Sequence, residues 1–243
     1  MHDTMRSFVI HMSSSTARRP NAEQLCADLP NAELIEAVNG RDPAQIAGVT
    51  LHPGNLHRPR YPFTLRPAEI GVFESQRRIW KKMVDENIDL ALICEDDLQV
   101  DHQRLSIALE MISGFASLDS FVRLPIKQRE VPAQTISEKN GVRLILPKVI
   151  GLGCVCQVIG RNAAARLLNG TNAIDRPIDV FLQMHWVTGQ RIHSVQGTGN
   201  QEISPLMGGS TIQTKPPLTD KLTREFKRSA YRAQLHLHPQ RPD

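Results

Sequence analysis

The chain has 243 residues, 40% of them hydrophobic and 22% charged, with 29 Lys+Arg against 25 Asp+Glu. That length supplies a sizeable core without disulfide staples, and the composition excludes a collagenous or wholly disordered chain. No run approaches the roughly 18 apolar residues of a membrane span, the opening MHDTMRSFVIHMSSS holds too short an apolar core for a secretory signal, and a net charge of +4 is too small to argue for nucleic acid as a partner.

The elements alternate in type along the chain. SFVIHM (7–12) reads as a first strand, and Ala22, Leu25, Cys26 and Leu29 fall at helical spacing after Pro20. ELIEAV (33–38) is a second strand closed by Asn39-Gly40. Residues 43–67 contain five prolines and little periodicity, which predicts a long irregular loop of the kind that often carries function. A helix is expected from Pro67, burying Ile70, Phe73, Trp80 and Val84, followed by LALIC (90–94), a continuous apolar run typical of a strand covered on both faces. Leu105, Leu109, Ile112 and Ala116 mark the next helix. SFVRL (120–124), VRLILP (142–147), CVCQVIG (154–160) and RIHSV (191–195) are further strands, while RNAAARLLNG (161–170) and the stretch after Pro177 read as helices. Alternating β and α elements predict an α/β layered sheet.

The four cysteines, Cys26, Cys94, Cys154 and Cys156, show no C-x-x-C spacing. Three lie in apolar runs, where a thiol packs as a small hydrophobe. Buried free thiols and an intracellular setting are therefore expected. A C-x-C pair on a strand points both side chains to one face, which is poor geometry for a mutual disulfide.

The sharpest local feature is LALICEDDLQV (90–100), where Glu95, Asp96 and Asp97 follow an apolar strand without interruption. Ligands of open α/β sheets bind beyond the carboxyl ends of strands. Three adjacent carboxylates disfavour one another's ionisation unless a cation lies nearby, and hard oxygen donors suit Mg²⁺ or Mn²⁺ with phosphate oxygens completing the shell. A solvated acidic turn is the structural alternative. A phosphohydrolase with a strand-end D-x-D fits less well, because its nucleophilic Asp would fall where this chain has Glu95.

From about residue 7 to 204 the chain resembles glycosyltransferase family 25, the lipooligosaccharide-biosynthesis galactosyltransferase group. The resemblance is carried by FVIHM followed by Arg18 and Arg19, EAVNGRD (36–42), LRPAEIGVFESQRRIW (65–80), LALICEDD (90–97), VIGRNAAARLL (158–168) and RPID (176–179), in that order and spacing. It implies a GT-A-like fold with a mostly parallel central sheet, in which a D-x-D-type motif holds a divalent metal, Mn²⁺ or Mg²⁺, against the diphosphate of a nucleotide sugar. On this chain Asp97 takes the metal-ligand position, Glu95 contacts the sugar nucleotide, and Asp96 supports either. Arg18 or Arg19 falls on the nucleotide side, and Glu69 and Ser75 lie in the family's helix segment. Asp179, in RPID, takes the place of the catalytic base, with Asp175 and His185 as alternatives and a helix N-terminal carboxylate as its structural reading.

The pattern departs from the family at four places. Ala68-Glu69-Ile70-Gly71-Val72 stands where Gly-Glu-Ile-Gly-Cys is usual, Gln76 follows Ser75 where His is usual, Asn39 replaces Asp, and Gln157 stands where an aromatic is common. The activity implied is inverting transfer of a hexose, galactose by resemblance, from a UDP-sugar to a lipooligosaccharide or another surface glycan. A catalytically impaired protein that binds nucleotide sugar, glycan or a partner without turnover is the second expectation.

The expected organisation is one catalytic domain over 1–207 and a basic tail over 208–243. Residues 215–243 carry seven Lys/Arg against three Asp/Glu, and so hold the whole net charge. Leu218, Leu222, Phe226 and Tyr231 form a short apolar stripe beside Lys221, Arg224, Lys227, Arg228 and Arg232. A basic amphipathic segment can rest on anionic lipid headgroups, which suggests a cytoplasmic protein peripheral to the inner face of the membrane. A solvated, partly packed terminal helix is the alternative.

Overall fold

A computed structural model describes residues 5–203 and 218–242. In chain order the elements are β1 (Arg6–His11), α1 (Arg19–Asp28), β2 (Ala32–Glu36), α2 (Pro43–Ile46), β3 (Thr50–Leu51), α3 (Pro67–Asp85), β4 (Leu90–Glu95), β5 (Leu98–Gln99), α4 (His102–Phe115) and β6 (Phe121–Arg123). They continue with β7 (Pro132–Lys139), β8 (Val142–Pro147), β9 (Cys156–Gly160), α5 (Arg161–Asn169), β10 (Ala173–Ile174), α6 (Ile178–Leu182), α7 (His185–Thr188), β11 (His193–Gln196), β12 (Gln201–Glu202) and α8 (Leu218–Leu235).

The main sheet has eight strands in the order β2-β1-β4-β9-β6-β11-β8-β7. Six strands share one direction, and β8 and β9 run against them. Side chains alternate across the sheet as the strand period requires. Phe8, Ile10, Ile93 and Ile159 face the layer built by α3, α5 and α6. Val9, Leu92, Cys94 and Val158 face α1 and α4. The sheet is thus covered on both faces, which explains why β1 and β4 read as unbroken apolar runs.

Helix α3 starts at Pro67, whose missing N–H costs nothing at a helix start. Glu69 accepts from the Arg66 backbone N–H at 2.7 Å and caps it. Its buried stripe runs through Ile70, Phe73, Ile79, Trp80 and Met83, with Val84 only half-buried beside it. Trp80 is fully buried, and truncating such a ring costs about 3–5 kcal/mol. Gly40 and Gly71 explain how the first turn of α3 reaches the β2 end. A Cβ on Gly71 would sit 2.5 Å from the Val38 carbonyl oxygen and 2.8 Å from the Gly40 nitrogen, and one on Gly40 would overlap the Pro67 carbonyl.

Four expectations are corrected. The 43–67 stretch is not wholly irregular, because α2 forms at Pro43 and β3 pairs in parallel with β10. The single helix expected after Pro177 is two short ones, α6 and α7, separated at Gln183 and Met184. An edge strand, β7, carries a largely exposed sequence that gave no apolar signal. Cys154 precedes β9 rather than lying on it, so the close thiols are Cys94 and Cys156, facing each other across β4 and β9 with Sγ atoms 3.5 Å apart.

The boundary expected at 207/208 lies outside the described residues. Beyond it, α8 is held by particular contacts. Tyr231 and Leu235 are buried in the α3-side core, and the Tyr231 hydroxyl accepts from Arg176 Nη1 at 2.9 Å. Gln240 acts as a substitute strand partner: its amide donates to the carbonyls of Pro147 and Ile192, and its oxygen accepts from the Ile192 N–H. His238 stacks on Trp186 with ring centroids 4.2 Å apart.

Candidate active site

The carboxyl ends of β2, β1 and β4 lie side by side, where a crevice forms in sheets of this type. A cavity of about 370 Å³ opens there, lined among others by Ser14, Arg18, Asn39, Ser75, Glu95, Asp96, Asp97 and Glu202. Of the residues singled out from sequence, Arg18, Ser75, Glu95, Asp96 and Asp97 therefore meet at one place.

Arg18 binds both aspartates, with Nη1 2.9 Å from Asp96 Oδ1 and 3.1 Å from Asp97 Oδ2. His11, at the end of β1, lies with Nδ1 2.8 Å from Asp96 Oδ2. Asn21 donates to the backbone carbonyls of Asp96 and Leu98 at 2.8 and 2.9 Å, pinning the acidic turn to α1. Asp96 is thus an anchored carboxylate. The other two carboxylates are less satisfied. Asp97 Oδ1 is buried without a hydrogen-bond partner among the described residues, and the Glu95 carboxylate makes no hydrogen bond or ion pair there.

Burial pushes Glu95 up to about 8, with further upward pressure from Asp97, Asp96 and Asp179 and opposition from Arg18. Burial also raises Asp97, against the pull of Arg18, and Glu202 adds to the rise. Glu202 arrives through β12, which pairs with β5, and the Ile203 N–H donates to the Asp97 carbonyl at 2.9 Å. A patch of buried negative charge with one unpartnered oxygen is chemically suited to a divalent cation. Among the described residues no three His, Cys, Asp or Glu side chains form a cage by themselves. An ion there would draw only one or two carboxylates from the protein and would need other oxygen ligands to complete its shell.

Ser75 serves the wall of the cavity. Its hydroxyl donates to the Gly71 carbonyl at 2.7 Å and accepts from the Val38 N–H at 2.8 Å, tying α3 to the loop after β2. Glu69 and Arg19 are not in the lining. Glu69 caps α3 and pairs with Arg66 at 2.9 Å, and Arg19 pairs with Glu23 at 2.6 Å on the exposed side of α1.

Asp179 opens α6 beside the neighbouring loop. Its Oδ2 accepts from the Gly153 N–H at 3.0 Å and its Oδ1 from the Val180 N–H at 2.8 Å. Burial raises its pKa while these two bonds lower it. The alternatives considered for the base are engaged elsewhere. Asp175 is spent on the buried guanidinium of Arg176 and on the Leu56 N–H, and His185 Nε2 lies 3.0 Å from the His238 carbonyl.

A second cavity, of about 720 Å³, adjoins the first and shares Glu202 with it. Its floor is set by Arg123 and Glu130, a buried ion pair. Arg123 also donates to the carbonyls of Leu152 and Gly153, and Glu130 accepts from the Gly151 N–H. These bonds fix the loop whose Gly153 N–H reaches Asp179. His11, Asn21, Arg123 and Glu130 were missed from sequence. Only His11 carried a signal, as a polar residue ending an apolar strand.

Similarity to known proteins extends over most of the chain. The model of a family described as "Glycosyltransferase family 25 (LPS biosynthesis protein)" matches residues 5–182. Human procollagen galactosyltransferase 2 is 25% identical over 202 residues, covering 74% of this chain and 30% of that protein. The mouse protein of the same name is 29% identical with the same coverage. A glycosyltransferase 25 family member from Drosophila pseudoobscura pseudoobscura is 32% identical over 99 residues, 39% of this chain and 16% of its own length. The chain thus spans about 30% of the length of the two galactosyltransferases.

Proposed function

We propose, from the premise that the chain belongs to glycosyltransferase family 25, that it moves a hexose, galactose in the first instance, from a UDP-sugar to a lipooligosaccharide or another surface glycan. The observation that carries this reading is the Glu95-Asp96-Asp97 turn, its two aspartates buried, with Arg18 at the carboxyl ends of three parallel strands. Asp97, with its unpartnered oxygen, and Glu95 would hold Mn²⁺ or Mg²⁺. When bound, that ion supplies Lewis-acid stabilisation of the departing nucleoside diphosphate.

The chain's own groups supply the rest. Arg18, fixed by two carboxylates, presents positive charge where the diphosphate enters. His11 and Asn21 hold Asp96 and its backbone, so the turn is set before substrate arrives. Asp179 takes the role of general base toward the acceptor hydroxyl. Each of its oxygens accepts one backbone bond and keeps a lone pair for a further proton donor, and burial brings its pKa closer to working pH. A single in-line displacement with inversion follows if one base and one leaving group act across the anomeric carbon. Binding without turnover is the second reading, favoured by the ion pairs through which Arg18 already neutralises Asp96 and Asp97.

Association with an anionic membrane surface is the finer part of the proposal. It rests on the exposed Phe226 on α8 beside Lys227 and Arg228. Among the described residues no helix is long and apolar enough to cross a membrane. Calorimetric titration of UDP-sugars with and without Mn²⁺, combined with donor hydrolysis assays, tests the transferase reading. Metal-dependent binding with hydrolysis supports it, binding alone supports the second reading, and no nucleotide-sugar binding under either condition rejects both. Sedimentation with anionic vesicles tests the surface reading separately.

A further inference from the structure

The second cavity has a composition that the donor chemistry does not use. Its interior is partly apolar, with Val131 and Leu152 exposed by 60% and 48%. Around it stand Lys127, Arg129, Lys148 and Arg232, all exposed. None of these four side chains makes a hydrogen bond or ion pair among the described residues. Arg123, by contrast, is fully engaged at the floor. The carboxylates in the lining are Glu130, spent on Arg123, and Glu202, at the border with the first cavity. Four exposed cations without an ion pair among the described residues thus surround one concavity, a setting suited to a partner of opposite charge.

The cations come from separate elements. Lys127 and Arg129 lie in the segment between β6 and β7, Lys148 follows β8, and Arg232 is on α8, which the Tyr231 and Gln240 contacts hold in place. Like charges brought together from these three segments repel one another. That repulsion is offset when an anion binds. The exposed apolar patch between them matches the weakly polar face of a sugar ring, and the cations match an anionic substituent on it.

Resting on the transferase reading above, we propose that the second cavity is the acceptor subsite and that it selects an anionic acceptor, a sugar bearing a phosphate or a carboxylate. A neutral glycan would leave the four cations unpaired and gain only the apolar contact. Charge-assisted hydrogen bonds of this kind shift affinity by about ten-fold or more.

The test is ligand-observed NMR titration of the full chain with glucose, glucose 6-phosphate, glucuronate and inorganic phosphate, with UDP titrated in parallel. Glucose 6-phosphate, glucuronate or both should bind about ten-fold more tightly than glucose, and whichever does so identifies the anion. The K127E/R129E and K148E variants, at exposed positions, should lose that advantage while melting normally and binding UDP as before. A milder Lys148→Met should lose part of it. The proposal is overturned if glucose binds as tightly as the anionic sugars or if the charge-reversed variants keep the preference. It is also overturned if inorganic phosphate alone matches glucose 6-phosphate, or if anionic vesicles displace the sugars, which would assign the cations to a lipid surface. Failure of UDP to bind would instead count against the transferase reading, whatever the sugars do.

Discussion

Gln157 Nε2 donates to Gln76 Oε1 at 2.8 Å, and both side chains are fully buried between β9 and α3. These are two of the positions at which the chain departs from its family's usual pattern, and they meet each other. One atom of each amide remains unmatched, since Gln76 Nε2 and Gln157 Oε1 have no partner among the described residues. Either single substitution to leucine leaves the other glutamine wholly unpaired, at a cost of about 1–3 kcal/mol. The double substitution should cost less than the sum of the singles. Urea unfolding of all four proteins measures the coupling, and simple additivity would show that the bond contributes nothing.

Arg18 separates two effects of charge at the acidic turn. Removing it in Arg18→Ala leaves Asp96 and Asp97 without their shared cation, so the apo protein should bind Mn²⁺ more tightly. The same variant should bind UDP-sugar more weakly, by roughly ten-fold, because a diphosphate contact is lost. Asp97→Asn should abolish the metal dependence of nucleotide binding altogether. Calorimetry with Mn²⁺ alone and then with UDP-sugar checks each. Persistent metal dependence in Asp97→Asn would place the ion elsewhere.

Gly71 tests whether the approach of α3 to the loop after β2 shapes the cavity. The added methyl of Gly71→Ala meets the Val38 carbonyl at 2.5 Å, so backbone must move, at a cost of about 1–3 kcal/mol. The shift also moves Ser75, which bonds both sides of that contact. Weaker UDP binding together with a lower unfolding midpoint is expected. A variant that loses stability but binds UDP normally would show that the cavity wall tolerates the displacement.

The acidic turn was legible in the sequence because β4 is buried on both faces, so its unbroken apolar run stops where the chain leaves the sheet, at Glu95. The partners of that turn were not legible. His11 and Asp96 are 85 positions apart, and periodicity reports only which face a residue lies on. The edge strand β7 escaped for the opposite reason: PAQTISEK is largely exposed, so it shows too few apolar positions to alternate. The C-terminal segment looked like a loose basic tail because its anchors are few. Tyr231, Leu235 and Gln240 stand among charged neighbours, and one of them holds its place by backbone hydrogen bonds that no composition reveals.

His193 carries a pH dependence whose direction is fixed by its surroundings. Burial, with Arg191 in support, lowers its pKa from 6.5 to about 4, and its ring packs edge-on against Phe115 with centroids 4.7 Å apart. The unfolded chain then takes up a proton near pH 6.5 that the folded chain refuses until about pH 4. The unfolded state binds more protons across that window, so stability is complete above it and falls as pH drops through it. The loss amounts to about 2 kcal/mol once the partial exposure of the ring is allowed for. His193→Phe retains an aromatic ring against Phe115 and removes the titration. Its unfolding free energy, measured by urea between pH 6.5 and 4.5, should therefore decline less steeply than that of the parent protein. Parallel declines would mean that His193 titrates alike in both states, and the burial of its ring would then be without thermodynamic effect.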